Sequence, residues 1–86
     1  MKQKMFTVYD ATAEAFLPPF FMPNTQTALR AIEDCVSDEN HNFHKHSSDY
    51  TLYELGSFDD VSGLMEPLPQ PKVISLLSTI KGDDNG

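Results

Sequence analysis

The stretch "DYTLYELGSFDD", residues 49–60, gives the strongest strand signal in the chain. Its aromatic and branched side chains favour extended backbone, and they alternate between two faces, with Leu52 and Tyr53 pointing to opposite sides. The next residues, "DDVSG" at 59–63, supply Asp and Ser for local side-chain hydrogen bonds and a glycine for positive φ. We therefore predict a hairpin whose returning strand is "LMEPL", residues 64–68.

The N-terminal segment "MFTVYD", residues 5–10, has the same period-two pattern and predicts a first strand. Asp10 can accept hydrogen bonds from the backbone that follows it, which indicates a turn into a short second strand around residues 14–17. Two prolines then end that strand because they cannot donate to a ladder. The apolar "FFMP", residues 20–23, is interpreted as a clamp that covers the core.

The clearest helix is "NTQTALRAIEDCVSD", residues 24–38. Asn24 is a good N-cap, since its side chain can accept from backbone N–H groups that lack a helical partner. Apolar residues recur every three or four positions and form one face: Ala28, Leu29, Ile32, Cys35 and Val36. The polar residues that follow predict a loop that leads into the central strand.

The C-terminal third combines a proline-rich stretch with an apolar one. The alternate prolines of residues 67–71 predict a stiff extended connector. "KVISLLSTIK", residues 72–81, fits a helical stripe, whereas a strand would place serine or threonine among the apolar residues of each face. The fold class is therefore α+β: a single domain over residues 1–81, with an antiparallel sheet of about four strands, one main helix and a short C-terminal helix. Residues 82–86 are interpreted as a flexible acidic tail.

The charge balance narrows the classes of partner. The chain has 86 residues, of which 13 are acidic and 6 basic, and a net charge of −7. Binding of nucleic acid through its phosphates needs clustered Lys and Arg, and here the basic residues are scattered. The same balance disfavours anionic membranes, and the apolar runs fall well short of the roughly 20 residues that span a bilayer. Protein partners are favoured, and self-association is expected because so small a domain buries only a modest core.

Three histidines, His41, His44 and His46, precede the central strand at a spacing that invites a metal interpretation. Zinc needs about four ligands in a tetrahedral array, and Asp38 or Asp49 could supply the fourth. No second cluster of Cys or His in the sequence supports such a site. Exposed histidines in a loop are therefore the favoured interpretation, and no metal or other cofactor is implied.

Two further features could suggest catalysis. Adjacent strand residues point to opposite faces, whereas paired catalytic carboxylates must converge, so Asp59 and Asp60 are interpreted as turn formers. Cys35 occupies an apolar helix position without an activating partner, which is typical of a small buried hydrophobe. We therefore expect no enzymatic activity.

The strand aromatics leave two interpretations open. They can form the core or a subunit interface, or they can stack the bases of single-stranded DNA. The missing basic groove favours core or interface. The alternative is a direct single-stranded-DNA binder that uses strand or N-terminal aromatics, with lysines gathered by oligomerisation. Its candidate contacts are Lys2, Lys4, Lys45, Tyr50, Tyr53, Phe58 and Lys72.

The pattern "FxKHxxDYxLYELGxFDDxxG", residues 43–63, resembles the signature of the small non-structural protein of gokushovirus-type microviruses, phages with small circular single-stranded DNA genomes. "VYDATAEAFLPPFF", residues 8–21, is similar to the opening of that family, and the helix "TALRAIEDCVSD", residues 27–38, lies where that family has one. The resemblance implies a protein made in the cytoplasm of the infected bacterium and absent from the mature virion.

The same resemblance implies a role linked to viral DNA replication, at the switch to single-stranded genome synthesis coupled to packaging. It brings no catalytic residues with it. Together with the acidic charge, it leads us to expect a non-enzymatic accessory protein that acts through contacts with phage or host replication and packaging proteins, as a homo-oligomer.

Overall fold

The computed structural model describes residues 1–81, with side chains through residue 80. It confirms the predicted α+β class, because a five-stranded antiparallel sheet packs against helices. The strands are β1 (Lys2–Asp10), β2 (Ala15–Phe16), β3 (Phe20–Met22), β4 (Tyr50–Asp59) and β5 (Met65–Leu76). The helices are α1 (Thr25–Val36), α2 (Asn42–Lys45) and α3 (Leu77–Lys81), with a 3-10 helix at Ser47–Asp49. The tail predicted at residues 82–86 lies outside the described residues.

The centre of the sheet is the long antiparallel pair of β1 and β4; β5 continues the sheet beyond β4, and β2 and β3 both pair with β1. Phe6 lies opposite Glu54 and Val8 opposite Leu52, so these side chains share one face of the sheet. The helices cover that face. The buried core comprises Phe6, Val8, Ala28, Ile32, Val36, Tyr50, Leu52 and Leu77.

The turns form through the local side-chain chemistry that the sequence predicts. Asp10 Oδ1 accepts from the backbone N–H groups of Thr12 at 3.0 Å and Ala13 at 3.3 Å, which closes the turn between β1 and β2. In the β4–β5 hairpin, Asp59 Oδ1 accepts from Val61 N at 2.9 Å, and Gly63 has a φ of +79°. Both turn predictions are confirmed.

The apolar clamp predicted at residues 20–23 does cover the core, and it does so as a strand, Phe20–Met22, that pairs with β1. Pro18 and Pro19 interrupt the ladder between β2 and β3, and the chain then rejoins the same edge of β1. Phe20 still covers the core, since its ring stacks on that of Phe6 at a centroid distance of 5.8 Å.

Helix α1 forms as predicted, and Asn24 caps it by accepting from Thr27 N at 2.8 Å. The segment after it is more ordered than the predicted loop, since α2 and the 3-10 helix lie between α1 and β4. His41 begins α2 as its N-cap, with Nδ1 accepting from Phe43 N at 3.0 Å. This helical turn lets Phe43 pack on the core.

The C-terminal prediction is wrong in its first half. Residues 67–71 and 73–76 belong to one long strand, β5, and only Leu77–Lys81 is helical. Between the pairs Glu54–Lys72 and Gly56–Pro67, β4 advances two residues while β5 advances five. Most of the proline-rich stretch therefore bulges away from β4 at the edge of the sheet, where the missing N–H groups break no ladder.

Candidate interaction surface

One face of the sheet is left open by the helices, and we call it the open face. On β1, β4 and β5, side chains alternate between the side that faces α1 and α3 and the opposite side, and irregularities in the ladders shift this alternation within β4 and β5. The register then fixes which side chains lie on the opposite side. The open face comprises Gln3, Met5, Thr7, Tyr9, Phe16, Phe21, Thr51, Tyr53, Phe58, Met65, Val73 and Leu76.

Aromatic rings cluster at both ends of the open face. At one end, Phe16 contacts Tyr9 at a ring-centroid distance of 4.8 Å and Tyr53 at 5.3 Å. At the other end, Phe21 contacts Phe58 at 5.5 Å. These edge-to-face contacts fix the rings in place, so the surface they present is formed before any partner arrives.

The open face is uncharged and its edges are exposed, while Met5 and Thr7 at its centre are buried beneath their neighbours. Phe16 is 48% exposed, and on the opposite edge Met65 is 61% and Val73 59% exposed. None of the residues that the strand register places on this face carries a charge. Exposed apolar side chains grouped on one face in this way mark a candidate interaction site.

The lysines of the proposed DNA contact set lie elsewhere. Lys4 and Lys72 point to the side of the sheet opposite the open face. Both lie beside Glu54, which pairs with Phe6 on β1 and with Lys72 on β5. Lys4 Nζ lies 3.8 Å from Glu54 Oε1, and Lys2 Nζ lies 3.3 Å from Glu66 Oε1. These cations sit on the helix side of the sheet with carboxylates beside them.

The remaining members of that set are divided in the same way. Lys45 is exposed on α2, in the helix layer, and Tyr50 is buried in the core beneath it. Tyr53 and Phe58 lie on the open face. The structure therefore joins the two aromatics with Phe16 and Phe21, and it does not bring them together with the lysines.

The three histidines do not converge on one point. His41 Nδ1 caps α2, and the ring of His44 approaches the carbonyl oxygen of Val36 with Nδ1 at 2.7 Å, while His46 is exposed. Within residues 1–81, no group of three or more His, Cys, Asp or Glu side chains is placed to hold a metal ion. Asp38 and Asp49 are engaged in turn and helix-end geometry instead.

A family model described as Phage ORF5 protein matches residues 3–80 of the chain. The chain belongs to the Phage ORF5 protein family. No curated protein matches it, and neither does any solved structure. Family membership makes it a bacteriophage protein, and no helix among its described residues is long and apolar enough to cross a membrane.

The paired aspartates of this Phage ORF5 protein close the hairpin and hold the chain start. The backbone N–H of Val61 holds the pKa of Asp59 below its usual value. Asp60 Oδ1 lies 2.7 Å from the N-terminal ammonium, whose pKa it raises. Two carboxylates that serve a turn and an ion pair do not converge on a common substrate position.

An apolar cleft of about 380 Å³ opens between α1 and the β1–β3 edge of the Phage ORF5 protein. Its lining is Val8, Leu17, Pro18, Phe20, Met22, Ala31, Ile32, Cys35 and Phe43. Burial raises the pKa of the Cys35 thiol, and the carboxylates of Asp34 and Asp38 raise it further. The thiol is therefore protonated at neutral pH, which makes it a poor nucleophile.

Sequence reasoning considered Phe16 and Phe21 only within the group of N-terminal aromatics, and it did not single out Met65 and Val73 as surface residues. Their place on the open face depends on which edge each short strand joins, which a single sequence does not display. The sequence of β1 did carry one indication of this face. Its apolar residues occupy both alternating sets of positions, which indicates that both faces of the strand contact apolar groups.

Proposed function

We propose that this Phage ORF5 protein is a non-structural, non-enzymatic accessory protein of viral DNA replication that acts through protein contacts in the infected bacterium. The family match supports a phage role, and the motif of residues 43–63 resembles the small non-structural protein of gokushovirus-type microviruses. The proposed step is synthesis of single-stranded genomes coupled to packaging, with the protein absent from the mature virion.

One observation carries the choice of protein contact over DNA contact: the aromatic rings and the lysines lie on opposite sides of the sheet. Single-strand binders stack bases on aromatics within a positively charged groove that follows the phosphates. Here Tyr53 and Phe58 have no cation among the open-face residues, and Lys2 and Lys4 each lie within 4 Å of a carboxylate. An uncharged aromatic surface instead resembles the core of a protein interface.

The rest of the surface supports a second kind of protein contact. A net charge of −7 on 86 residues gives an acidic exterior that attracts basic patches on replication proteins or on a procapsid. Such attraction acts mainly on the association rate and on partner choice. The acidic exterior and the open face could therefore bind different partners at the same time.

Direct binding of single-stranded DNA remains the second candidate because the exposed Phe16 and Phe21 could stack bases. That mode would need lysines from a second chain to reach the open face. Fluorescence anisotropy with a labelled oligothymidylate at about 150 mM salt separates the two modes, because phosphate-driven affinity survives there only with several cation contacts.

The proposed function is tested in infected cells with a phage whose copy of this gene carries a stop codon. We expect double-stranded replicative DNA to accumulate while single-stranded genomes fall, and wild-type protein supplied in trans to restore them. Val73→Asp on the open face should fail to restore them, and the matched Lys45→Ala and Lys72→Ala variants should succeed. Normal single-stranded synthesis without the gene would refute the role. Sub-micromolar binding of oligothymidylate that is lost in the lysine variants would refute action through protein contacts.

A further inference from the structure

We infer that the open face binds a second copy of this chain, so that two sheets stack face to face in a two-fold dimer with the helices outside. The inference rests on the proposed function in one respect, the assignment of the open face to protein contact. It adds the identity of the partner. Stacked sheets pack about 10 Å apart with interdigitated side chains, and exposed rings such as Phe16 and Phe21 suit that spacing.

Charge favours a second copy over other partners. Two chains that each carry −7 repel one another at most orientations, and the open face is the surface on which neither presents a charge. A basic protein would find no carboxylate on this face, and a nucleic acid would find no cation. The open face is complementary to another uncharged, aromatic surface, and the open face of a second copy is such a surface. A two-fold interface uses the same patch twice.

The size of the open face is compatible with a reversible dimer. Four strand positions about 4.8 Å apart and nine residues rising about 3.3 Å each outline roughly 19 × 30 Å, or about 570 Å² in projection. A standard interface buries about 800 Å² on each partner, measured on a rough molecular surface that exceeds its projection. The contact area therefore approaches that of specific interfaces and lies below that of large obligate dimers.

Among the described residues, the sheet edges are poor templates for self-association. On one side, β2 and β3 contain two and three residues, which is too short to template another strand. On the other side, β5 carries Pro69 and Pro71 in a segment that bulges from the sheet. Proline at an edge blocks strand addition because it cannot donate a hydrogen bond. Two copies therefore meet through the face.

Sedimentation velocity of the purified full chain from about 1 to 100 μM tests the dimer. The wild type should approach twice the monomer mass of 9.7 kDa as concentration rises. Val73→Asp should weaken dimerisation at least tenfold, because the two-fold axis places the new charge in the interface twice. Val61→Asp is the matched control, since Val61 is 84% exposed in the hairpin turn, outside the strands that form the open face. It should leave the dimer unchanged.

Met65→Asp provides a second probe at the other end of β5, and far-UV circular dichroism checks that each variant is folded. If Val73→Asp does not fold, Met65→Asp decides. A wild type that stays monomeric at 100 μM overturns the inference, as does a folded open-face variant that dimerises normally, or a loss of dimer in Val61→Asp. A monomeric protein that still supports genome synthesis would refute only the dimer. A stable dimer without any effect on genome synthesis would refute only the proposed function.

Discussion

Replacing Gly56 with alanine should strongly destabilise the fold, because the backbone of β5 occupies the space that a Cβ at this residue would need. A Cβ at Gly56 would lie 2.3 Å from the carbonyl oxygen of Glu66 and 2.7 Å from the Cα of Pro67. Both atoms belong to backbone, so no side-chain rotation relieves the clash. The φ of +155° adds a second penalty, since L-residues rarely adopt it.

The magnitude follows from these two effects. A non-glycine residue in such a backbone region costs about 1–3 kcal/mol, and overpacking costs about 1–3 kcal/mol more, which gives about 2–6 kcal/mol together. A domain of 86 residues has a total free energy of unfolding of about 4–13 kcal/mol. Gly56→Ala should therefore remove a large share of the stability, or all of it.

Urea denaturation followed by circular dichroism measures the effect, and the chain supplies a matched control. Gly63 also has positive φ, +79°, but a Cβ there would have no heavy atom within 4 Å. Gly63→Ala should cost only the backbone term, about 1–2 kcal/mol. Equal losses of stability for the two variants, within about 0.5 kcal/mol, would show that β5 does not approach β4 as closely as described.

Three further outcomes are expected. Asn24→Ala removes the cap of α1 and should cost about 1 kcal/mol of unfolding free energy, whereas Asn40→Ala in the exposed loop should be nearly neutral. Burial raises the pKa of Tyr50, and Asp10 and Asp49 raise it further. Folding therefore favours the neutral form of Tyr50. Its contribution to the free energy of unfolding is complete below about pH 10 and is lost as pH rises through the folded pKa. This pH dependence should be absent from the stability of Tyr50→Phe. Cys35 should react with iodoacetamide at pH 8 more slowly than in urea, since its pKa is raised in the fold; equal rates would contradict the partly buried site.

Local chemistry accounts for the parts of the fold that the sequence predicted correctly. The Asn24 cap, the Asp10 turn and the positive φ of Gly63 depend on atoms within a few residues, so each can be inferred from the residues themselves. The errors concern edge strands. Residues 20–22 and 73–76 become strands because β1 and β4 offer unpaired backbone groups beside them. That cause lies far away in the chain, and tertiary pairing overrides a helical stripe such as that of residues 72–81.

The candidate surface was predictable only in part. Residues 50 and 53 of one strand have opposite parity, so Tyr50 and Tyr53 could never share a face, and the structure buries Tyr50 beneath the helices. Simple alternation would place Tyr53 and Phe58 on opposite faces, and the irregularity between Glu54 and Gly56 brings both to the open face. The contributions of Phe16 and Phe21 depend on the register of two short strands, which is fixed by β1 rather than by their own residues.

Thr7 decides how the centre of the open face can be used. Its side chain is fully buried by its neighbours, and its Oγ1 donates to the carbonyl oxygen of Leu17 at 2.6 Å. A hydroxyl left unpaired there would cost the fold about 1–3 kcal/mol, but this one is already satisfied. The same bond uses the donor that a phosphate would need. Thr7 is therefore desolvated and satisfied before any partner binds, so it neither opposes an apolar protein surface nor offers a donor to a phosphate.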